Sequence, residues 1–436
     1  MSDTNLKPEI SPRIQPKKNI FKEVMKSYGP GIIAVLSWLG AGDLVNASIS
    51  GANYGYALMW VLALSLLIRF VITNIMSRYQ LCNNEGLTIL EGFTKLHRFY
   101  PYFLGAYALI MAHLFNSYMI KGVGEVFAWL FHFGHPFMWS IIAVLTGVFV
   151  IGKDIYNSIE NLMKVLLAIM TFSFIGLAIW STPDVGGILK GTIGFSIPKD
   201  EGFYGAFLMA VSLTGAVAGS IANFLYPYFM KDKGWISPIH KRLQRNDLLF
   251  AIIMAIVINL SIWIVGAEIL RPNGIQVNTI GDLADALSLH LGYVGSLIFY
   301  LGVFGALYSS IIGFAAGFPK LIIDSIHKIK PERREKFGEK LENDPWFKWF
   351  SLFILISPLI WSVPGAPGFV SLVVFVNILS VVGLPVISVG LLILSNQKKL
   401  LGKYTNNWFE NILLTATTIL AIYSSITLAQ DIISKL

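Results

Sequence analysis

Charge is scarce in this chain. Only 13 % of its 436 residues are Asp, Glu, Lys or Arg, where a soluble domain carries roughly a quarter. With 55 % hydrophobic residues and a mean hydropathy of +0.65, that shortage excludes a soluble globular protein and predicts a polytopic, all-α membrane protein. Cysteine is almost absent. The single Cys82 rules out a disulfide framework and any multi-cysteine metal site. Enzyme signatures are also missing: there is no nucleophile–base pair, no paired carboxylates and no HExxH, so the chain is not expected to be an enzyme. No stretch is polar enough to form a signalling or other soluble domain, which argues against a sensor. The first 27 residues are polar and basic with no apolar core. They are expected to be a cytoplasmic tail and not a cleavable signal.

What is present is apolar runs near twenty residues, the length that spans about 30 Å of hydrocarbon. Eleven segments are predicted, at about 29–53, 56–76, 103–131, 136–152, 160–181, 203–230, 248–270, 292–319, 349–364, 368–395 and 408–430. The net charge of +8 distributes by loop. Lys231, Lys233, Lys241, Arg242 and Arg245 fall in one connection, and Lys328, Lys330, Arg333, Arg334, Lys336 and Lys340 in another. The alternate loops hold only Lys190, Lys199 and Arg271, with Lys435 at the C-terminus. This is the positive-inside pattern with a cytoplasmic N-terminus, expected in a plasma (inner) membrane. Contact with the lipid bilayer follows from the basic excess, and nucleic-acid binding does not. Short loops are compatible with a monomer.

An internal echo carries the functional signal. Segment 1 contains GAGDLVNAS (Gly40–Ser48), and segment 6 contains GAVAGSIAN (Gly215–Asn223). Both are runs of small residues with a polar residue in mid-span, five segments apart. An odd repeat length inverts the second copy in the membrane. Interrupted helices at matching positions of inverted halves point to a transporter site at the midplane, because lipid cannot satisfy the backbone groups that an unwound helix frees. The predicted organisation is a tail at 1–27 and one transporter domain at 28–436. Within that domain 28–181 is the first repeat, 203–396 the inverted second repeat and 408–430 an extra helix. Glycines such as Gly122, Gly302 and Gly305 read instead as helix-packing positions.

The stretch SWLGAGDLVNASISGANYGY (Ser37–Tyr56) resembles segment 1 of the Nramp family of divalent-metal transporters, which reads approximately SYLDPGNFATDIQAGAQYGY. The resemblance continues through LMWVLALSLLIRFV in segment 2 and GALYSSIIGFAAG in segment 8. In segment 10, Asn377 falls where the family has a metal-approaching glutamine, and Leu384-Pro385 matches its Leu-Pro. It covers residues 27–430 and implies a LeuT-like fold of five-plus-five inverted repeats with helices 1 and 6 broken. The site itself departs from the family. Asp-Pro-Gly-Asn becomes Gly40-Ala41-Gly42-Asp43. Met-Pro-His-Asn is replaced by Gly219, Ser220, Ile221 and Ala222, or reaches Asn223 with a one-residue shift. Two acidic positions of the family's proton path in segment 3 fall on Asn116 and Met119. The pattern resembles the divergent, magnesium-associated branch of the family.

The residues expected at a metal site are therefore Asp43, Asn46, Gly40, Ala216, Gly219, Ser220, Asn223 and Asn377. An intramembrane carboxylate is costly, and Asp43 is a site residue on that ground; the alternative is a neutral carboxyl that donates a hydrogen bond. Asn223 and Asn377 serve either as ligands or as helix–helix glue. Gly219 removes a soft thioether and leaves hard oxygen, in a site expected to be wide enough for a hydrated ion. Such a set suits Mg²⁺, with Mn²⁺ as second ion. The cation is the transported substrate, and no resident cofactor is expected. Loss of the titratable path predicts transport without proton coupling. The alternative is a carrier of the same fold for an organic solute such as an amino acid or amine. Lys121 and Glu125 are spaced for an intrahelical ion pair, His113 reads as a hydrogen-bonded core residue, and Arg69 reads as an arginine that snorkels from the end of segment 2.

Overall fold

The computed structural model describes residues 30–150, 155–199, 205–275, 277 and 279–434. The expected N-terminal tail lies outside the described residues. Among them the chain is helical without strands, and each of the eleven predicted stretches contains helix. Seven are long and apolar enough to cross a membrane, or eight if Lys164–Trp180 and Val185–Ile193, which meet at 111°, count as one. The remaining three stretches are segments 1, 4 and 9. They hold a broken helix, the short Pro136–Val150, and Pro345–Ile356 continued by a 3₁₀ turn, Ser357–Ser362. Length alone thus identifies fewer crossings than the eleven expected.

Segments 1 and 6 are both broken. The first helix runs Pro30–Trp38, and Gly40, with an extended ψ of −174°, separates it from Ala41–Tyr54. In segment 6, Ala206–Val217 ends before Ser220, whose ψ of 121° is also extended. A 3₁₀ turn, Ile221–Phe224, then leads into Leu225–Asp232. These interruptions sit where the small residues cluster, because residues without bulk let the chain leave the helix while neighbouring segments press close. Close approach is most evident between Gly51 and Gly266. A Cβ on Gly51 would lie 2.9 Å from the Ala267 nitrogen, and one on Gly266 would lie 2.7 Å from the Ser48 carbonyl oxygen. The backbone of segment 1 thereby packs on the π-helical turn Gly266–Leu270 that ends segment 7. Gly122, against Leu307 and Phe369, is a packing position as expected.

The short helix expected near Asp282 starts at Ile280, capped by Thr279 and Asp282 in a reciprocal capping box. It runs to Gly292, where φ of 61° bends the chain into segment 8. On the basic face, Lys320 reaches both Asp232 (2.5 Å) and Glu342 (2.8 Å), and Lys328 reaches Glu91 (2.5 Å). These ion pairs place the connections after segments 2, 6 and 8 on one face, as an alternating topology requires. At that same face Asp247, at the start of segment 7, accepts from the Gly31 amide (2.6 Å) and the Tyr226 hydroxyl (2.9 Å). It thus satisfies a free amide at the N-terminus of segment 1.

Candidate functional site: a buried ion pair at two helix breaks

Ending the first half of segment 6 at Val217 frees its last carbonyls, and buried carbonyls need donors. One donor comes from segment 2. Arg69 is fully buried. Its Nη2 donates to the Ala216 carbonyl (2.7 Å), its Nε to the Val217 carbonyl (2.8 Å) and its Nη1 to Asp43 Oδ2 (3.3 Å). The second donor is Asn223, whose amide reaches the carbonyls of Val217 and Ala218 (3.2 Å each). Trp38, the last residue before the break in segment 1, lies under the guanidinium, with its ring centre 5.0 Å from the central carbon. Asn259 of segment 7 approaches Asp43 Oδ2 at 3.4 Å. Asp43 is 2 % exposed and its Oδ1 has no protein partner.

Arg69 therefore does not snorkel. Segment 2 is a helix over Met59–Cys82, longer at its far end than its hydropathy indicates, so Arg69 falls near its middle. Buried there, its donors turn to the freed carbonyls and to Asp43.

Beside the pair lies a cavity of about 20 Å³, room for roughly one water. Gly40, Gly42, Asp43, Ala216, Ser220 and Asn377 line it, together with Trp38, Arg69, Tyr118 and Met119. The expected width is absent: a hydrated ion does not fit while the guanidinium is in place. Five of the eight predicted residues, Gly40, Asp43, Ala216, Ser220 and Asn377, are thus brought together. The other three do not line it: Asn46 accepts from Ser212 (2.9 Å) and ties the two broken segments together, Asn223 caps the break, and Gly219 lies within the break itself.

Residues at this site that were not anticipated include Arg69, Trp38, Asn259 and Met119. Arg69 carried a usable signal, since a charge within a span has an opposite charge as its natural partner. Met119 bears on the chemistry. Its methyl group is the nearest neighbour of the position a Gly40 Cβ would take (2.7 Å), so a thioether side chain borders the cavity although Gly219 replaces the family's methionine. Asn116 turns away and donates to the Ile354 carbonyl (3.0 Å). His113 is held between Ser357 (2.7 Å) and the Trp361 indole (3.0 Å), a hydrogen-bonded core histidine as expected. Lys121 reaches the carbonyls of Trp361 (3.4 Å) and Ala366 (3.5 Å) in place of the expected pair with Glu125. Among the described residues no three His, Cys, Asp or Glu side chains gather as a metal cluster.

Two helices broken at mid-span around a buried charge define an integral membrane protein of the inverted-repeat transporter fold. The model of the family described as natural resistance-associated macrophage protein-like (Nramp) matches residues 31–431, and the chain belongs to that family. Its relatives are distant. The divalent metal cation transporter MntH of Bacillus subtilis is 23 % identical over 314 residues, 68 % of this chain and 70 % of the relative. MntH of Levilactobacillus brevis is 22 % identical over 426 residues, 93 % of this chain and 89 % of the relative. Among solved structures, a mutant of the Eremococcus coleocola manganese transporter superposes with a TM-score of 0.74 at 17 % identity, covering 95 % of this chain and 88 % of that one. MhsT in complex with L-phenylalanine has the same architecture, with a TM-score of 0.56 at 15 % identity over 91 % of this chain and 96 % of that one.

Proposed function

We propose that this protein carries divalent cations across a membrane through the site at the two breaks, with Mg²⁺ as the principal ion and Mn²⁺ as the second. One observation carries the reading. Asp43 Oδ2 and the carbonyl oxygens of Ala216 and Val217 converge on a single positive charge. These are hard donors of the kind Mg²⁺ and Mn²⁺ accept. The family's transporters named for divalent metals support the same class of cargo. Asp43 is the charged ligand. Asn377, Ser220 and the backbone at Gly40 supply further oxygens around the cavity, while Asn46, Gly219 and Asn223 shape the breaks that hold them. The Met119 thioether beside the cavity favours some Mn²⁺ acceptance.

Transport is uncoupled from protons in this reading. Among the described residues, Asp43 and Arg69 are the only Asp, Glu, His, Lys or Arg side chains lining the cavity, and a proton path needs titratable groups leading away from the site. A potential of 100 mV favours entry of a divalent cation by about 4.6 kcal/mol, twice the single-charge value. The basic face is assigned to the cytoplasm of a cell's plasma (inner) membrane, and the working unit to a monomer. The test is Mg²⁺ uptake into sealed liposomes carrying wild type or Asp43→Ala, read beside an internal pH dye. Wild-type uptake that the variant lacks, without internal acidification, is expected. Acidification that tracks uptake would overturn the uncoupled mechanism. No uptake by folded wild type would move the organic-solute carrier to the front.

A further inference from the structure

A carrier that moves an ion alone must return empty. An empty carrier with a bare carboxylate at mid-membrane faces a large desolvation cost, since a buried charge requires a partner. Among the described residues no Asp, Glu, His, Lys or Arg other than Asp43 and Arg69 lines the cavity, so the return step has no second acidic or basic group to pass a proton to. The chain nevertheless carries a positive charge of its own into the site. The Arg69 guanidinium takes Asp43 and both freed carbonyls at once.

We infer that Arg69 is a tethered counter-ion: it occupies the cation position in the empty carrier, the arriving ion displaces it, and its return neutralises Asp43 for the empty transition. The inference rests on the cation reading above for the identity of the cargo. Three features support it. The same oxygens that would bind an ion hold the guanidinium. The cavity left beside it, about 20 Å³, does not admit a hydrated ion until Arg69 moves. Asp43 Oδ1 and Asn377 Nδ2, both at the cavity, have no hydrogen-bond partner among the described residues, so the polar shell is incomplete around the guanidinium. Trp38 already lies under Arg69 and can keep hold of the charge once the carboxylate is taken.

The mechanism separates binding from net transport. With Arg69→Gln the ion meets no competitor. If the open state is populated at 10 % or less, the apparent affinity rises about tenfold or more. Exchange of bound ion across the membrane continues, because a loaded carrier still crosses. Net uptake fails, because the empty carrier would carry a bare Asp43. A purely structural role for Arg69 would impair exchange and net uptake alike.

The experiment compares wild type, Arg69→Gln, Arg69→Lys and the double variant Asp43→Asn/Arg69→Gln. Mn²⁺ binding is measured on purified protein by electron paramagnetic resonance. Exchange and net uptake of Mn²⁺ are measured in liposomes, with thermal unfolding as the folding control. Arg69→Gln is expected to bind Mn²⁺ about tenfold tighter than wild type, to exchange it and to lose net uptake. Arg69→Lys should recover part of the net uptake, and the double variant should not bind. Unchanged affinity in folded Arg69→Gln, or net uptake equal to wild type, overturns the inference. Wild type that neither binds nor moves Mn²⁺ overturns the cation reading by itself. Binding gained by Arg69→Gln would then still uphold self-occupancy of the site, and no gain would overturn it. If Arg69→Gln does not fold, Mn²⁺ rescue of its thermal stability, absent in the double variant, upholds the inference, and no rescue overturns it.

Discussion

Two regions of this molecule concentrate charge, and they are built on opposite principles. On the basic face, charges are redundant. Glu91 is shared by Lys328 (2.5 Å) and Arg334 (3.1 Å), Lys320 by Asp232 and Glu342, and Asp344 by Arg333 (2.6 Å) and His327 (3.0 Å). Losing any one partner leaves another. At the two helix breaks, among the described residues, one carboxylate meets one guanidinium, and Asp43 Oδ1 has no hydrogen-bond partner. Redundant charges at a wet surface hold loops in place. A single pair in a dry interior, incompletely satisfied, is a device whose partners can be exchanged.

The sharpest way to break that comparison is to remove one partner from each region. Arg69→Ala leaves Asp43 buried and unpaired, and should destabilise the protein by about 3–5 kcal/mol in detergent unfolding. Removing both charges with Asp43→Asn/Arg69→Gln should recover most of that loss. Gly215→Ala attacks the frame of the site without touching its charges. A Cβ there would collide with the Asn377 backbone carbonyl, and overpacking of this kind costs about 1–3 kcal/mol. On the basic face, Lys328→Ala should cost about 1 kcal/mol or less, because exposed and partly exposed pairs contribute little and Arg334 remains on Glu91. The smallest effect is in pH. Burial alone would raise the Glu91 carboxyl, but Lys328, the Thr88 amide and Arg334 outweigh it and lower it to about 2. Its contribution is present above the ordinary carboxylate range and is lost only as pH falls through about 2. Glu91→Gln should therefore lower stability modestly at neutral pH and flatten the acid limb of the stability–pH curve, the two proteins converging as pH falls through about 2.

Much of the frame was legible from residue type. The small-residue runs around Gly40 and Gly219 marked both breaks because bulk is incompatible with them, and Asp43 marked the site because lipid tolerates no idle carboxylate. What escaped was three-dimensional. Asn46 lies three residues after Asp43, and three residues turn a helix to within about 60° of a full turn. That offset is enough to aim Asn46 at Ser212 and not at the cavity. Arg69 escaped because hydropathy located the end of segment 2 too early, which placed the arginine near an interface it does not reach. Asn259 and Met119 come from segments far away in sequence, and no spacing rule connects them to Asp43.

The most direct test is anomalous diffraction from crystals of the wild-type protein grown with Mn²⁺. The account predicts a manganese peak bonded to Asp43 and to the freed carbonyls at Ala216 and Val217, with the Arg69 guanidinium withdrawn from all three. Manganese bound elsewhere, with the Arg69–Asp43 pair intact beside an empty cavity, would contradict it.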